Sequence, residues 1–167
     1  LVGGLGLGYT AVAALADPRV QSLTVVEAIA PVIDWHQREL LPDTAGLATD
    51  ARTHLLEGDF FALIDGPVGF GAGRPDHYDA ILLDIDHTPR HVLHQSHSAF
   101  YLRKGLQSMR RHLKRNGVFA LWSDDPPDQE FLGVLSGVFA EVSTHVVSFP
   151  NPLTGGESAN SVYVASH

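Results

Sequence analysis

The chain has 167 residues, of which 44% are hydrophobic and 18% charged, proportions that fit one compact domain with a full core. A net charge of −8 repels phosphate backbones, and the absence of cysteine rules out disulfides, thiolate metal sites and a cysteine nucleophile. No apolar run approaches the roughly 20 residues of a membrane span and no signal peptide is visible, so the reading is a cytoplasmic protein without membrane or nucleic-acid partners.

Leu1-Val2 reads as the tail of a first strand whose beginning is missing, as in a fragment or a trimmed chain. Glycine-rich residues 3–8 form the turn after it. Residues 9–16 predict a small-residue helix that stops near Asp17-Pro18. Leu23–Glu27 is a short β-rich run closed by an acid, and residues 31–41 predict a helix with Pro31 in its first turn. Thr53–Glu57 is a third strand, and Gly- and Pro-rich residues 66–77 read as a loop. The YDAILLD run at 78–84 has the continuous apolar centre of a strand buried on both faces. A helix over 99–115 and a strand over 117–123 follow, and Asp128 would cap a helix reaching about Phe139. Residues 142–149 and 161–165 are two last strands joined without a helix. Strand–helix alternation predicts a mostly parallel sheet with helices on both faces, and the final pair predicts one antiparallel strand. No second domain is read.

Gly4, Gly6 and Gly8 lie between a strand end and a helix start, where a ligand must approach the backbone closely. The spacing is neither a P-loop, which would need lysine after it, nor a dinucleotide fingerprint, since residue 9 is tyrosine. Glu27 closes a strand nineteen residues after Gly8, where an acid can accept from both hydroxyls of a ribose. Asp59, after the third strand, could accept from an adenine amino group while Phe60 or Phe61 packs on the ring; without the glycine turn and Glu27, it reads as a helix cap. Asp84 and Asp86 follow the strongest strand, where a carboxylate could hold or deprotonate an amine and free its lone pair for attack.

In this order the segments VGGLGLG, VVE, EGD, YDAILLD and FYLRKGLQSMRRHLKRNGVFALWS resemble the spermidine synthase family, within the class I S-adenosylmethionine-dependent methyltransferases. The resemblance implies a Rossmann-like α/β fold, a seven-stranded mostly parallel sheet with the last strand inserted antiparallel. It implies S-adenosylmethionine or decarboxylated S-adenosylmethionine as cofactor, with Gly4, Gly6 and Gly8 at its methionine-derived part, Glu27 at the ribose and Asp59, with Phe60, at the adenine. Asp84 matches the family's amine-activating acid, and a small amine is the implied acceptor. Two positions depart from the family pattern. The aspartate usual in the glycine loop is replaced within Leu5-Gly6-Leu7, and His87 stands where a second acid holds the far nitrogen of a diamine. The family's small N-terminal β-domain has no counterpart in this sequence.

Two readings compete with an aminopropyl transferase: a methyltransferase of the same fold, and a non-catalytic binding module. A homodimer is left open. The basic residues Arg110, Arg111, Lys114 and Arg115 are assigned to the last turns of the 99–115 helix, where cations favour the helix dipole. His87, His91, His94 and His97 are spaced four, three and three, but Pro89 interrupts the segment, and it is read as a surface run without a metal. Asp125-Pro126-Pro127 is read as a proline-rich loop, and Trp35 and Trp122 as packing residues.

Overall fold

Three short parallel strands make the sheet of the first of two units, residues 1–76. The computed structural model describes residues 1–67, 70, 75–153 and 155–167. Residues 68–69 and 71–74 of the glycine-rich loop, and residue 154 of the last turn, lie outside the described residues. Strands β1 (Val2–Gly3), β2 (Leu23–Glu27) and β3 (Thr53–Glu57) pair in parallel, with Val2 opposite Val25 and Glu27 opposite Glu57. Leu23 to Val26 are all buried, the pattern of a strand covered on both faces, whereas β3 is only half-buried. Helices α1 (Tyr9–Leu15), α2 (Ala30–Gln37) and α3 (Phe60–Asp65) connect or follow these strands, and a single 3₁₀ turn, Pro42–Thr44, lies between α2 and β3.

Helix α1 ends beside a loop held by Arg52. Its guanidinium forms an ion pair with Asp50 at 2.7 Å and also donates to the carbonyls of Leu15 and Val20. The Leu15 carbonyl belongs to the last turn of α1 and has no partner within the helix, so Arg52 supplies one.

The second unit, residues 77–167, carries β4 (Tyr78–Leu83), β5 (Leu113–Ser123), β6 (Glu141–Asn151) and β7 (Gly156–Ser166), with α4 (Arg103–Arg110) and α5 (Gln129–Ser136). β4 and β5 are parallel, and their register shifts between Tyr78–Leu113 and Ala80–Val118. Gly117 sits at that irregularity, where an added Cβ would lie 3.0 Å from the carbonyl oxygens of Tyr78 and Lys114. The extra β5 residues correct the sequence expectation of a helix over 99–115. Only 103–110 are α-helical, a 3₁₀ turn occupies Gln95–Ala99, and Lys114 and Arg115 belong to the start of a strand. Lys114 therefore does not complement a helix end; it pairs with Asp79 at 2.8 Å on the neighbouring strand.

β7 runs antiparallel between β5 and β6. Along the whole chain the strand order is β3-β2-β1-β4-β5-β7-β6, the seven-stranded α/β sheet expected from the sequence. Where β7 precedes Ser161, it pairs with β6 without β5, leaving Val147 and Phe149 exposed on a two-stranded arm. Aromatic side chains fill the core of this unit: Phe119 stacks on Phe139, and Phe131 meets both Tyr101 and Tyr163 edge to face. Among the described residues, no helix is long and apolar enough to cross a membrane.

Candidate functional site

In the first unit, the glycine turn follows β1 directly. Gly4, Gly6 and Gly8 have φ values of 94°, 46° and 87°, a left-handed conformation that side chains disfavour. Their surroundings differ. A Cβ added at Gly6 would meet nothing within 4 Å, so its face is open to a ligand. A Cβ at Gly8 would lie 2.6 Å from His36 Cε1 and 2.9 Å from Leu47 Cδ2, so Gly8 is required by packing rather than by ligand approach.

Glu27 ends β2 and turns its carboxylate toward this turn. Oε2 accepts from Leu5 N–H at 3.0 Å and, more weakly, from Gly6 N–H at 3.5 Å, while Oε1 accepts from Ile29 N–H at 2.9 Å. The strand-end acid thus fixes the loop that follows the neighbouring strand. Oε1, with one donor, keeps a second lone pair, so the half-buried group can accept from a further donor.

Asp59 caps α3: Oδ1 accepts from Phe61 N–H at 2.9 Å and Ala62 N–H at 3.2 Å. Phe60 is a core residue, 2% exposed, and offers no ring face on which adenine could stack. That corrects the pairing of Phe60 with the adenine: the first residue of α3 turns inward.

In the second unit, Asp84 follows Leu83, the last residue of β4, and is exposed. Asp86 departs from expectation. Instead of pointing freely from a loop it is buried, and it accepts from Leu93 N–H at 2.7 Å, His97 Nδ1–H at 2.9 Å and Tyr101 O–H at 2.9 Å. A carboxylate so enclosed organises the loop after β4 rather than meeting solvent. It also anchors the His97 imidazole through Nδ1. Burial, and then the neighbouring Asp86 carboxylate, push the Tyr101 phenol far above its ordinary range.

His87 is exposed, and its carbonyl accepts from Asp124 N–H at 2.8 Å. The other histidines of the run turn to separate partners. His91 lies 3.4 Å from Asp125, His94 pairs with Ser96, and His97 binds Asp86. Among the described residues, no group of three or more histidines and carboxylates could hold a metal ion.

A cavity of about 270 Å³ opens beside the loops after β4 and β5, lined in part by Thr88, Arg90, Ser123, Asp125, Asp128 and Tyr163. Arg90 is paired with Asp128 at 2.5 Å and with Glu130 at 2.9 Å. With that cation neutralised, Asp125 and the buried Tyr163 hydroxyl set the polarity of the wall. Neither the Asp86 partners His97 and Tyr101 nor the loop contacts of His36 follow from the sequence. The FY pair at 100–101 is part of the family resemblance, but nothing local marks the donor role of its tyrosine.

No protein-family model matches the chain. No curated protein matches it in sequence. Solved structures do match in fold. Human methyltransferase-like protein 13 in complex with SAH superposes with a TM-score of 0.73 at 22% identity, covering 99% of this chain and 70% of that one. Spermidine synthase from Thermotoga maritima gives 0.70 at 19% identity, and a spermidine synthase in complex with the transition-state analogue AdoDATO gives 0.71 at 20%. The chain spans about half the length of both synthases, 51% in each case. The strand order, the inserted antiparallel β7 and these likenesses define a Rossmann-like α/β fold of the class I methyltransferase type.

Proposed function

We propose that the chain is an S-adenosylmethionine-type transferase of spermidine synthase-like kind, passing an aminopropyl group from decarboxylated S-adenosylmethionine to a small amine. One observation carries this reading. Glu27 closes the buried strand β2 at its carboxyl end, the ligand-binding side of this fold class, and is joined by hydrogen bonds to the glycine turn.

The cofactor's sulfonium supplies an activated carbon. Glu27 would accept from the ribose hydroxyls, the open face of Gly6 would admit the chain attached to sulfur, and Asp59 would take the adenine edge. Asp84 would orient the amine and take its proton as the nitrogen lone pair forms the new C–N bond; the C–S pair leaves with sulfur as a neutral thioether. Asp86 takes no proton in this scheme. It holds the loop that carries Asp84. The cavity beside Asp125 and Tyr163 offers room for the remainder of a small acceptor, and exposed His87 replaces a carboxylate, which disfavours a second ammonium near neutral pH.

Methyl transfer from S-adenosylmethionine is the second reading, favoured by the TM-score of 0.73 to a methyltransferase-like protein bound to SAH. Calorimetric titration with both cofactors and their thioether products, followed by turnover with a panel of amines, separates the two. Asp84→Asn is expected to lower turnover by about 10²–10⁴-fold while cofactor affinity stays within a few-fold, because asparagine keeps the shape but takes no proton. Full turnover in Asp84→Asn would remove the base. Binding of neither cofactor would remove the reading as a whole.

A further inference from the structure

The glycine turn is gripped by two side chains that neither the motif nor the ribose acid accounts for. His36, near the end of α2, is 4% exposed, and its Nε2 lies 3.0 Å from the carbonyl oxygen of Gly6. A carbonyl only accepts, so the proton is on Nε2. Thr44, at the end of the 3₁₀ turn, is equally buried, and its hydroxyl donates to the carbonyl of Leu7 at 2.9 Å. Consecutive carbonyls of the turn are therefore held by side chains, while the Leu5 amide is held by Glu27. The imidazole also packs edge-on against Gly8, where a Cβ would collide with it.

The other ring nitrogen makes the arrangement informative. His36 Nδ1 is buried and has no hydrogen-bond partner among the described residues. An unsatisfied buried nitrogen costs stability, and a leucine of similar size would avoid that cost. Core packing alone does not explain a histidine there, whereas a donor aimed at Gly6 does. The need for such a donor follows from the turn itself. A segment with glycine at 4, 6 and 8 has unusual backbone freedom, and a ligand that had to order it would bind more weakly by the fraction of molecules already in the competent shape.

We infer that His36 and Thr44 are positioning residues: they pre-set the glycine turn in its binding shape before a nucleoside ligand arrives. The inference rests on the proposed reading of that turn as the cofactor loop.

The test uses His36→Leu, His36→Gln and Thr44→Val in the full chain, with two readouts. Amide hydrogen exchange at Leu5 and Gly8 is followed without ligand, and affinity is measured for S-adenosylhomocysteine and methylthioadenosine. His36→Leu and Thr44→Val are each expected to speed exchange at these amides by at least tenfold and to weaken the probes by roughly tenfold, with the melting temperature of His36→Leu unchanged or higher. His36→Gln, which carries an N–H donor at a similar reach, should recover most of both. Exchange in the turn as slow as wild type in both His36→Leu and Thr44→Val would overturn the inference. So would an acceleration spread evenly over the first unit, which is what a merely structural role gives. If the wild type binds neither probe, the cofactor reading fails, while the exchange data still decide whether these side chains order the turn.

Discussion

Tyr101 donates its phenolic hydrogen to Asp86 at 2.9 Å, joining a helix-preceding turn to the acidic loop after β4 inside the core of the second unit. The two aspartates of the DID segment consequently have separate tasks, and substitution should divide them. Asp86→Asn replaces an acceptor of three donors by a group that must aim an NH₂ at one of them. It should lower unfolding free energy by about 1.5–3 kcal/mol, the range for hydrogen bonds to a charged partner. Asp84→Asn, on the exposed side, should stay within about 0.5 kcal/mol of wild type. Urea titration of both variants gives the comparison; equal stabilities would show that Asp86 is not the organising group.

The same contact sets an alkaline limit. Burial, and then Asp86, raise the Tyr101 pKa above its ordinary 10.0 in the folded chain. The unfolded chain releases this proton near pH 10 and the folded one retains it, so the stabilisation is complete below that pH and is lost as pH rises past it. Melting temperature should fall steeply above about pH 10, and Tyr101→Phe should flatten that fall. Tyr163, raised chiefly by burial, leaves a residual slope.

Asp128 should matter at the other end of the scale. It caps α5 through Glu130 N–H at 2.9 Å, and Arg90 holds its carboxyl below the usual carboxylate range. Its contribution is present above the unfolded value near 4 and is lost as acid protonates the folded carboxylate. Asp128→Ala is expected to cost about 0.5–2 kcal/mol at neutral pH, and Asp128→Asn less, since an amide oxygen still caps. Thermal unfolding at pH 7 and pH 3 reads both: the gap between wild type and Asp128→Ala should narrow at the lower pH.

Glu27→Ala should act on ligand and loop together. Loss of its acceptors is expected to weaken nucleoside binding by about 1–3 kcal/mol, and to loosen the Leu5 amide that Glu27 now holds. Calorimetry with S-adenosylhomocysteine tests the first effect. Unchanged affinity in a folded variant would take Glu27 out of the site.

Chelation should change nothing. Among the described residues no cluster of histidines and carboxylates could hold a metal ion, and His91, His94 and His97 turn to different partners, so excess chelator is expected to leave the melting temperature where it was. A fall reversed by added zinc or nickel would show that these side chains converge on an ion.

Strands are legible in the sequence wherever an apolar run is unbroken, as in Leu23 to Val26, all buried, and in the AILL of β4, where burial alternates, because a run of that kind needs no distant information. Asp128 is legible as a cap because a cap is a local pattern. The 99–115 segment misleads because its helical content ends at Arg110, and the register shift centred on Gly117, which begins β5 early, depends on β4. Phe60 has no assignable direction until α3 has a rotation about its axis. Asp86 looks like its neighbour Asp84 because its partners lie seven, eleven and fifteen residues ahead. His36 is invisible for the same reason, its carbonyl partner lying thirty residues earlier. Chemical type can be read from one residue; the direction in which a side chain faces requires the fold.

The insertion of β7 between β5 and β6 has a consequence for synthesis. β5 and β6 are made first but share no ladder, so the edge of β5 that carries Phe119 and Leu121 stays unpaired until β7 has been translated. At about 5–20 residues per second, the 43 residues from Asp124 to Ser166 leave that apolar edge open for seconds on the ribosome. The β5–β7–β6 half of the sheet therefore closes in a single late step, and a nascent chain halted before Gly156 would present its edge to chaperones rather than to its own β6.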